Sequence, residues 1–159
     1  MKAMFFVGEF SDGGAERVIS IIANNIVNSY DVEILSYFKK DNFYKTDERV
    51  VLNSIEANTN STNKIKNLKW LRNHIKDADI IISFLAPFDI LSLLANKGIN
   101  KPIIVSDRND PRFVPNNKFI RYLRDRLYGD ADAIVVQTEN NKEYFNKYSD
   151  KTFVIPNPL

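Results

Sequence analysis

Short apolar runs alternate with segments whose apolar residues recur every three or four positions, along the whole of the 159-residue chain. Met4 to Val7 is a continuous apolar stretch, suited to a strand buried on both faces. Ala15, Val18, Ile19, Ile22, Ala23 and Ile26 then repeat at the spacing of one helix face. Val32 to Phe38 predicts a second strand and Val50 to Leu52 a short third one, with a polar and aromatic stretch, Lys39 to Glu48, between them. Ala57 to Asn63 reads as loop, and Ile65, Leu68, Leu71 and Ile75 predict a helix. Strands are expected over Asp79–Phe84, Pro102–Ser106, Ala133–Val136 and Thr152–Ile155. Between them, helices are expected from Asp89 to Asn96 (stopped by Gly98), from Lys118 to Tyr128 and from Glu139 to Tyr148. In the Lys118 helix, Phe119, Ile120, Leu123 and Leu127 are the expected core-facing stripe. This alternation predicts an α/β fold. Residues 1–159 form one Rossmann-like, doubly wound domain, with a mainly parallel sheet of about seven strands and helices on both faces.

In such sheets ligands sit beyond the carboxyl ends of the strands. Four predicted strand ends carry polar or glycine-rich segments: Gly8–Gly14, Ser83–Phe88, Ser106–Arg112 and Gln137–Asn140. Ser106–Arg112 is the densest polar cluster in the chain. The pair Gly13-Gly14 lies between the first strand and the first helix, where bare backbone can approach a ligand and helix amides favour an anion. A tight strand-to-helix turn explains the pair equally well on its own.

Other α/β chemistries fit poorly. Gly8 to Gly14 lacks the Gly-x-Gly-x-x-Gly spacing of dinucleotide binders, and no Gly-Lys-Ser or Gly-Lys-Thr closes a phosphate loop. No nucleophile elbow is present, and Gly8-Glu9-Phe10 supplies no acidic pair for a phospho-receiver. Composition narrows the field further. The formal net charge of +2 gives no argument for nucleic acid, and the lack of cysteine removes disulfides and thiolate metal sites. The single histidine, His74, is expected as a solvated helix residue. No apolar run is long enough to span a membrane and no signal peptide is evident, so a cytoplasmic location is expected, with the Asn60-Ser61-Thr62 sequon unglycosylated.

Four segments, in order, resemble bacterial glycosyltransferases of family 4. They are Gly13-Gly14-Ala15-Glu16-Arg17-Val18, Ser106-Asp107-Arg108-Asn109-Asp110-Pro111, Ala131 to Thr138, and Val154-Ile155-Pro156-Asn157-Pro158-Leu159. The resemblance spans the whole chain. It implies the N-terminal, acceptor-binding half of a GT-B architecture, in which two Rossmann-like domains face each other across a cleft. The nucleotide-sugar-binding C-terminal domain would begin where this chain stops, so the chain is expected to be an excised piece or one part of a split enzyme, inactive alone. The implied reaction is retaining transfer of a hexose or N-acetylhexosamine from a UDP-sugar to a glycan or lipid-linked acceptor in capsule or lipopolysaccharide synthesis, with no cofactor and no metal.

Carried over by position, Gly13 and Gly14 would meet the donor diphosphate. Glu16, Arg17, Asp107, Arg108 and Asn109 would meet the acceptor, and Arg108, the catalytic candidate, occupies the place where many relatives carry a histidine near the acceptor hydroxyl. Local alternatives stay open. Glu16 suits a first helical turn, Arg108 can pair with Asp107 or Asp110, and Asn109 suits a turn beside Pro111. A basic face made of Arg112, Lys118, Arg121 and Arg124, with Tyr122 and Tyr128, is a candidate for anionic lipid or a lipid-linked diphosphate, or else simply a solvated surface. From another class, a non-catalytic Rossmann-like small-molecule-binding or regulatory domain is the competing expectation. It predicts a closed pocket where the transferase half predicts an open cleft edge.

Overall fold

The structure is a computed structural model that describes residues 1–56 and 63–158. The expected loop and sequon within residues 57–62 lie outside the described residues. The seven strands are β1 (Lys2–Val7), β2 (Asp31–Ser36), β3 (Val51–Ser54), β4 (Ile80–Phe84), β5 (Ile103–Ser106), β6 (Ala133–Val136) and β7 (Thr152–Val154). They pair in the order β3-β2-β1-β4-β5-β6-β7, every neighbour parallel. The helices are α1 (Gly14–Ile26), α2 (Lys64–Asp77), α3 (Ala86–Asn96), α4 (Lys118–Leu127) and α5 (Glu139–Tyr144). The predicted architecture is present, with every expected strand in place.

Helices cover both faces, but unevenly, and strand order explains why. From β1 the chain steps outward to β2 and β3, then returns past β1 and proceeds the other way through β4 to β7. Right-handed crossovers made in opposite directions deposit their helices on opposite faces. The side chains of α1 therefore pack with Phe5, Val7 and Ile34 on one face. Those of α2, α3 and α5 pack with Met4, Phe6, Ile81 and Ile134 on the other, together with Leu127 and Tyr128 at the end of α4. Opposite the α3–α5 layer, Ile82, Ile104 and Val135 are only half-buried, and Phe153 and Ile155 are exposed.

Several boundaries differ from expectation for local reasons. Helix α3 starts at Ala86, before Asp89, because Pro87 in a first turn has no amide that an intrahelical bond would miss. Helix α5 stops at Tyr144 and continues as a 3-10 segment, Asn146–Lys151, in which Tyr148 leaves helical geometry. The aromatic stretch after β2 packs inward at its start, where Tyr37 and Phe38 meet Phe88. A side chain at Gly8 would lie 2.3 Å from the Phe88 ring, so that position must stay bare.

Two charged residues are placed differently from the sequence expectation. His74 is not a solvated surface residue: its Nδ1 donates to Glu33 Oε1 at 2.7 Å and its ring lies 3.9 Å from that of Trp70. Burial works to raise the Glu33 carboxyl, but hydrogen bonds from His74, Lys2 and Asn53 outweigh it and hold the group at about 2. Arg124, expected on the solvent side of its helix, is wholly enclosed, whereas Phe119, expected in the core, is exposed.

Glu33→Gln should lower stability by about 1–3 kcal/mol, because it strips charge from a buried acceptor set. A carboxyl held at about 2, against an ordinary 4.5, stabilises the fold fully above that ordinary value and loses its contribution as pH falls toward 2. Acid titration of the unfolding free energy should therefore be flatter over that window in Glu33→Gln than in the wild type.

Candidate active-site cleft

The strand order reverses between β1 and β4, and a cleft of about 380 Å³ opens at the carboxyl ends of the strands there. It is lined by Gly13, Gly14, Ala15 and Glu16 after β1, Leu85 after β4, Arg108 and Asn109 after β5, Gln137 after β6 and Asn157 beyond β7. Residues far apart in sequence thus meet on one rim because parallel strands end on one edge.

Helix starts show what is special here. Asn63, Asn117 and Thr138 cap α2, α4 and α5 by accepting hydrogen bonds from first-turn amides. Helices α1 and α3 begin without any side-chain cap, at Gly13 and Leu85, and both of these residues line the cleft. No N-cap side chain takes the amides at the start of α1, although the Glu16 carboxylate folds back over this positive helix end and accepts from its own amide. Leu85 has φ of 73°, a strained conformation for a branched side chain, in the wall of the same cleft.

The two glycines have different reasons to be glycine. A Cβ on Gly13 would stand 2.1 Å from the Glu16 carboxylate, which folds back over it. A Cβ on Gly14 would meet nothing within 4 Å, so the fold itself does not demand glycine there. Glu16 is buried, and its carboxyl is raised above the ordinary range mainly by burial, with Glu9 and Asp12 adding repulsion. Arg17 is exposed and lies outside the lining, without a side-chain hydrogen bond or ion pair among the described residues.

Arg108 pairs with neither Asp107 nor Asp110. Its guanidinium donates to Ile155 O at 3.4 Å and Asn157 Oδ1 at 3.1 Å, and it sits 5.4 Å from the centre of the Phe84 ring. Its Nε is enclosed without a partner among the described residues, and burial pulls its pKa down. Asn109 donates its amide to Asp107 Oδ1 and accepts from Asn141 Nδ2 through its carbonyl, which leaves the side chain to the cleft.

Asp107, expected among the acceptor contacts, is instead enclosed beneath the rim. Its carboxylate lies 3.4 Å from Arg124 Nη1, and Arg124 also donates to Pro111 O, Val114 O and Asp125 Oδ1. Burial pushes Asp107 up to about 6 against the downward pull of Arg124. The expected basic face is reduced, with Lys118 and Tyr122 exposed and Arg112 and Arg121 half-buried. Arg124 and Tyr128 are wholly buried, and Arg112 donates to Asn140 O and Oδ1. Arg121 donates to the carbonyls of Phe113 and Pro115.

Sequence reasoning missed Leu85, Gln137 and Asn157 as lining residues, although the strand-end rule had singled out the segments after β4 and β6. It also missed a buried pair, Tyr128 donating to Asp89 Oδ2 at 2.7 Å, in which burial drives Asp89 up to about 7. No three acidic, histidine or cysteine side chains gather as a metal site among the described residues.

Residues 12–159 match the model of Glycosyltransferase Family 4. The chain belongs to that family. It is 28% identical over 166 residues to a Campylobacter jejuni subsp. jejuni serotype O:2 protein, GalNAc-alpha-(1->4)-GalNAc-alpha-(1->3)-diNAcBac-PP-undecaprenol alpha-1,4-N-acetyl-D-galactosaminyltransferase. That match takes in 99% of this chain but only 46% of the relative. Among solved structures, Anabaena Alr3699/HepE in complex with UDP and glucose superposes with a TM-score of 0.77 at 14% identity, over 100% of this chain and 45% of that one. The apo lipopolysaccharide outer core galactosyltransferase WaaB superposes at 0.70 and 17% identity, over 100% and 46%. The fold is thus that of the N-terminal half of GT-B transferases.

Asp89 tests the electrostatics under the cleft. An acid at about 7 in the fold and 3.8 when exposed binds more protons folded than unfolded between those values, so its contribution to stability falls as pH rises from 3.8 to 7. Asp89→Asn should flatten that fall in a series of denaturant titrations, while still accepting the Tyr128 hydroxyl.

Proposed function

We propose that this chain is the acceptor-binding half of a retaining glycosyltransferase. It moves a hexose or N-acetylhexosamine from a UDP-sugar to a glycan or lipid-linked acceptor in surface-polysaccharide synthesis. One observation carries the reading: the uncapped end of α1 and the Arg108 guanidinium line the same cleft, at the point where strand order reverses. The substrate class is supported by the Campylobacter relative, named for transfer to an undecaprenol-linked glycan, and by the HepE structure, which contains UDP and glucose.

In this reading the bond from the anomeric carbon to the diphosphate breaks and its electron pair leaves on the diphosphate. The acceptor oxygen bonds to the same face of that carbon, and its proton passes to the departing diphosphate oxygen on that face. The amides of Gly13 and Gly14 meet the charge gathering on the diphosphate, and Arg108, with an unpartnered Nε, supplies fixed positive charge or binds an acceptor hydroxyl. Asn109 and Glu16, which line the cleft, present polar groups to the acceptor, and Arg17, outside the lining, meets only an acceptor that extends beyond it. Asp107 contributes by holding the loop. A second lobe, carrying most of the donor contacts, closes the cleft. The half-buried and exposed apolar residues across β4–β7 favour such a two-lobe protein over a free-standing binding domain.

Gly14→Ala separates this role from folding. The added methyl meets no protein atom and sits in a helix, so the melting temperature should hold or rise. The KM for UDP-sugar should climb by roughly tenfold or more in steady-state transfer assays. Arg108→Ala should lower kcat by about 100-fold. Unchanged transfer in both variants would remove the proposal.

A further inference from the structure

The carboxylate of Glu16 stands where the cleft calls for an anion. Its side chain turns back over Gly13 so closely that a Cβ on Gly13 would collide with Glu16 Oε2. The residue lines the cleft, yet it is only 6% exposed. Its own amide donates to the carboxylate, and the uncapped start of α1 adds the positive end of a helix. The amides proposed for the diphosphate therefore already face a side-chain anion.

No cation answers it: Glu16 makes no ion pair among the described residues. Glu9 and Asp12, from the loop after β1, repel it. Lys40, from the segment after β2, is spent on Glu9 at 3.2 Å, and Tyr44 of that segment donates to the Asp12 carbonyl. Arg17, next to it in α1, is exposed and outside the lining. Arg108, which lines the same cleft, donates to Ile155 O and Asn157 Oδ1. Burial and this repulsion hold the Glu16 carboxyl above its ordinary range, against the pull of its own amide. A second anion brought to Gly13 would stand beside this carboxylate, and like charges so placed push one partner to take a proton. The phosphates of a UDP-sugar are strongly acidic diesters, so the carboxylate is that partner.

We infer that Glu16 takes up a proton as the donor diphosphate binds, and that the resulting carboxylic acid donates a hydrogen bond to a diphosphate oxygen beside Gly13. The inference rests on the reading of Gly13 and Gly14 as the diphosphate site. The proton comes from solvent, bonds to one Glu16 carboxylate oxygen, and returns to solvent when the nucleotide leaves. Repulsion is thereby exchanged for a hydrogen bond. Donor affinity becomes tied to pH and weakens as pH rises, because binding consumes a proton. Folded over Gly13, Glu16 borders the diphosphate and the acceptor alike.

Calorimetric titration of the transfer-active protein with UDP-glucose and with UDP-N-acetylgalactosamine, in buffers of different ionisation enthalpy, counts the protons taken up. At about pH 7.5 the wild type should take up at least about half a proton per nucleotide bound, and its Kd should rise by about threefold or more per pH unit. Glu16→Gln, a neutral side chain of the same shape, should bind without uptake and with a Kd that stays flat over that range. Gly14→Ala should weaken binding by roughly tenfold and leave the uptake per bound nucleotide as in the wild type. Binding that Gly14→Ala weakens but that takes up no proton, or takes up as much in Glu16→Gln, would overturn this inference and leave the diphosphate site standing. Binding of neither nucleotide, or binding indifferent to Gly14→Ala, would remove the site and the inference together.

Discussion

The Arg124 guanidinium is enclosed in the protein, and its donors are spent on groups from separate parts of the chain: the carbonyls of Pro111 and Val114, the carboxylates of Asp107 and Asp125, and the hydroxyl of Tyr144. The ring of Tyr144 lies 5.2 Å from it and that of Phe145 5.4 Å. Removing such a cation from water costs several kcal/mol, a cost offset only where nearly every donor finds a partner. The planar fork of arginine can span these acceptors at once; a lysine ammonium cannot. The outcome is a fixed loop between β5 and α4, and on that loop stand Arg108 and Asn109 facing the cleft.

From that constraint the rest follows in order. The loop carries Arg108 across to Asn157, past the end of β7, so one rim joins β5 to the far end of the sheet. Parallel strands bring the bare start of α1 to the same edge. The floor beneath is unusually polar: Asp89, Asp107, Ser83 and Ser106 are all buried there, Ser83 lies beside the Asp89 carboxyl, and the Ser106 hydroxyl has no hydrogen-bond partner among the described residues. Such a floor costs stability and keeps charge close under the site, which is consistent with a region shaped for chemistry over rigidity.

Much of this was legible beforehand. Apolar runs such as Met4–Val7 and the three-and-four spacing of α1 announce their elements because one face must be buried. The family was readable from Gly13-Gly14 and Ser106 to Pro111. Helix α4 was misread because Arg124 falls on the inward side, where spacing alone puts a charge outside. Apart from the adjacent Asp125, its partners lie in a loop ten or more residues upstream and in α5, so no local pattern announces them. His74 was misread for the same reason, since Glu33 is 41 positions away. Leu85 entered the cleft through a backbone conformation that its residue type disguises.

Amide hydrogen exchange in Arg124→Lys addresses the central claim most directly, because the charge beside Asp107 stays while the fork is lost. Exchange should accelerate at residues 108–114 and hold at its wild-type rate in β5 and β6. Equal protection of that loop in both proteins, or a uniform rise across the sheet, would contradict the account.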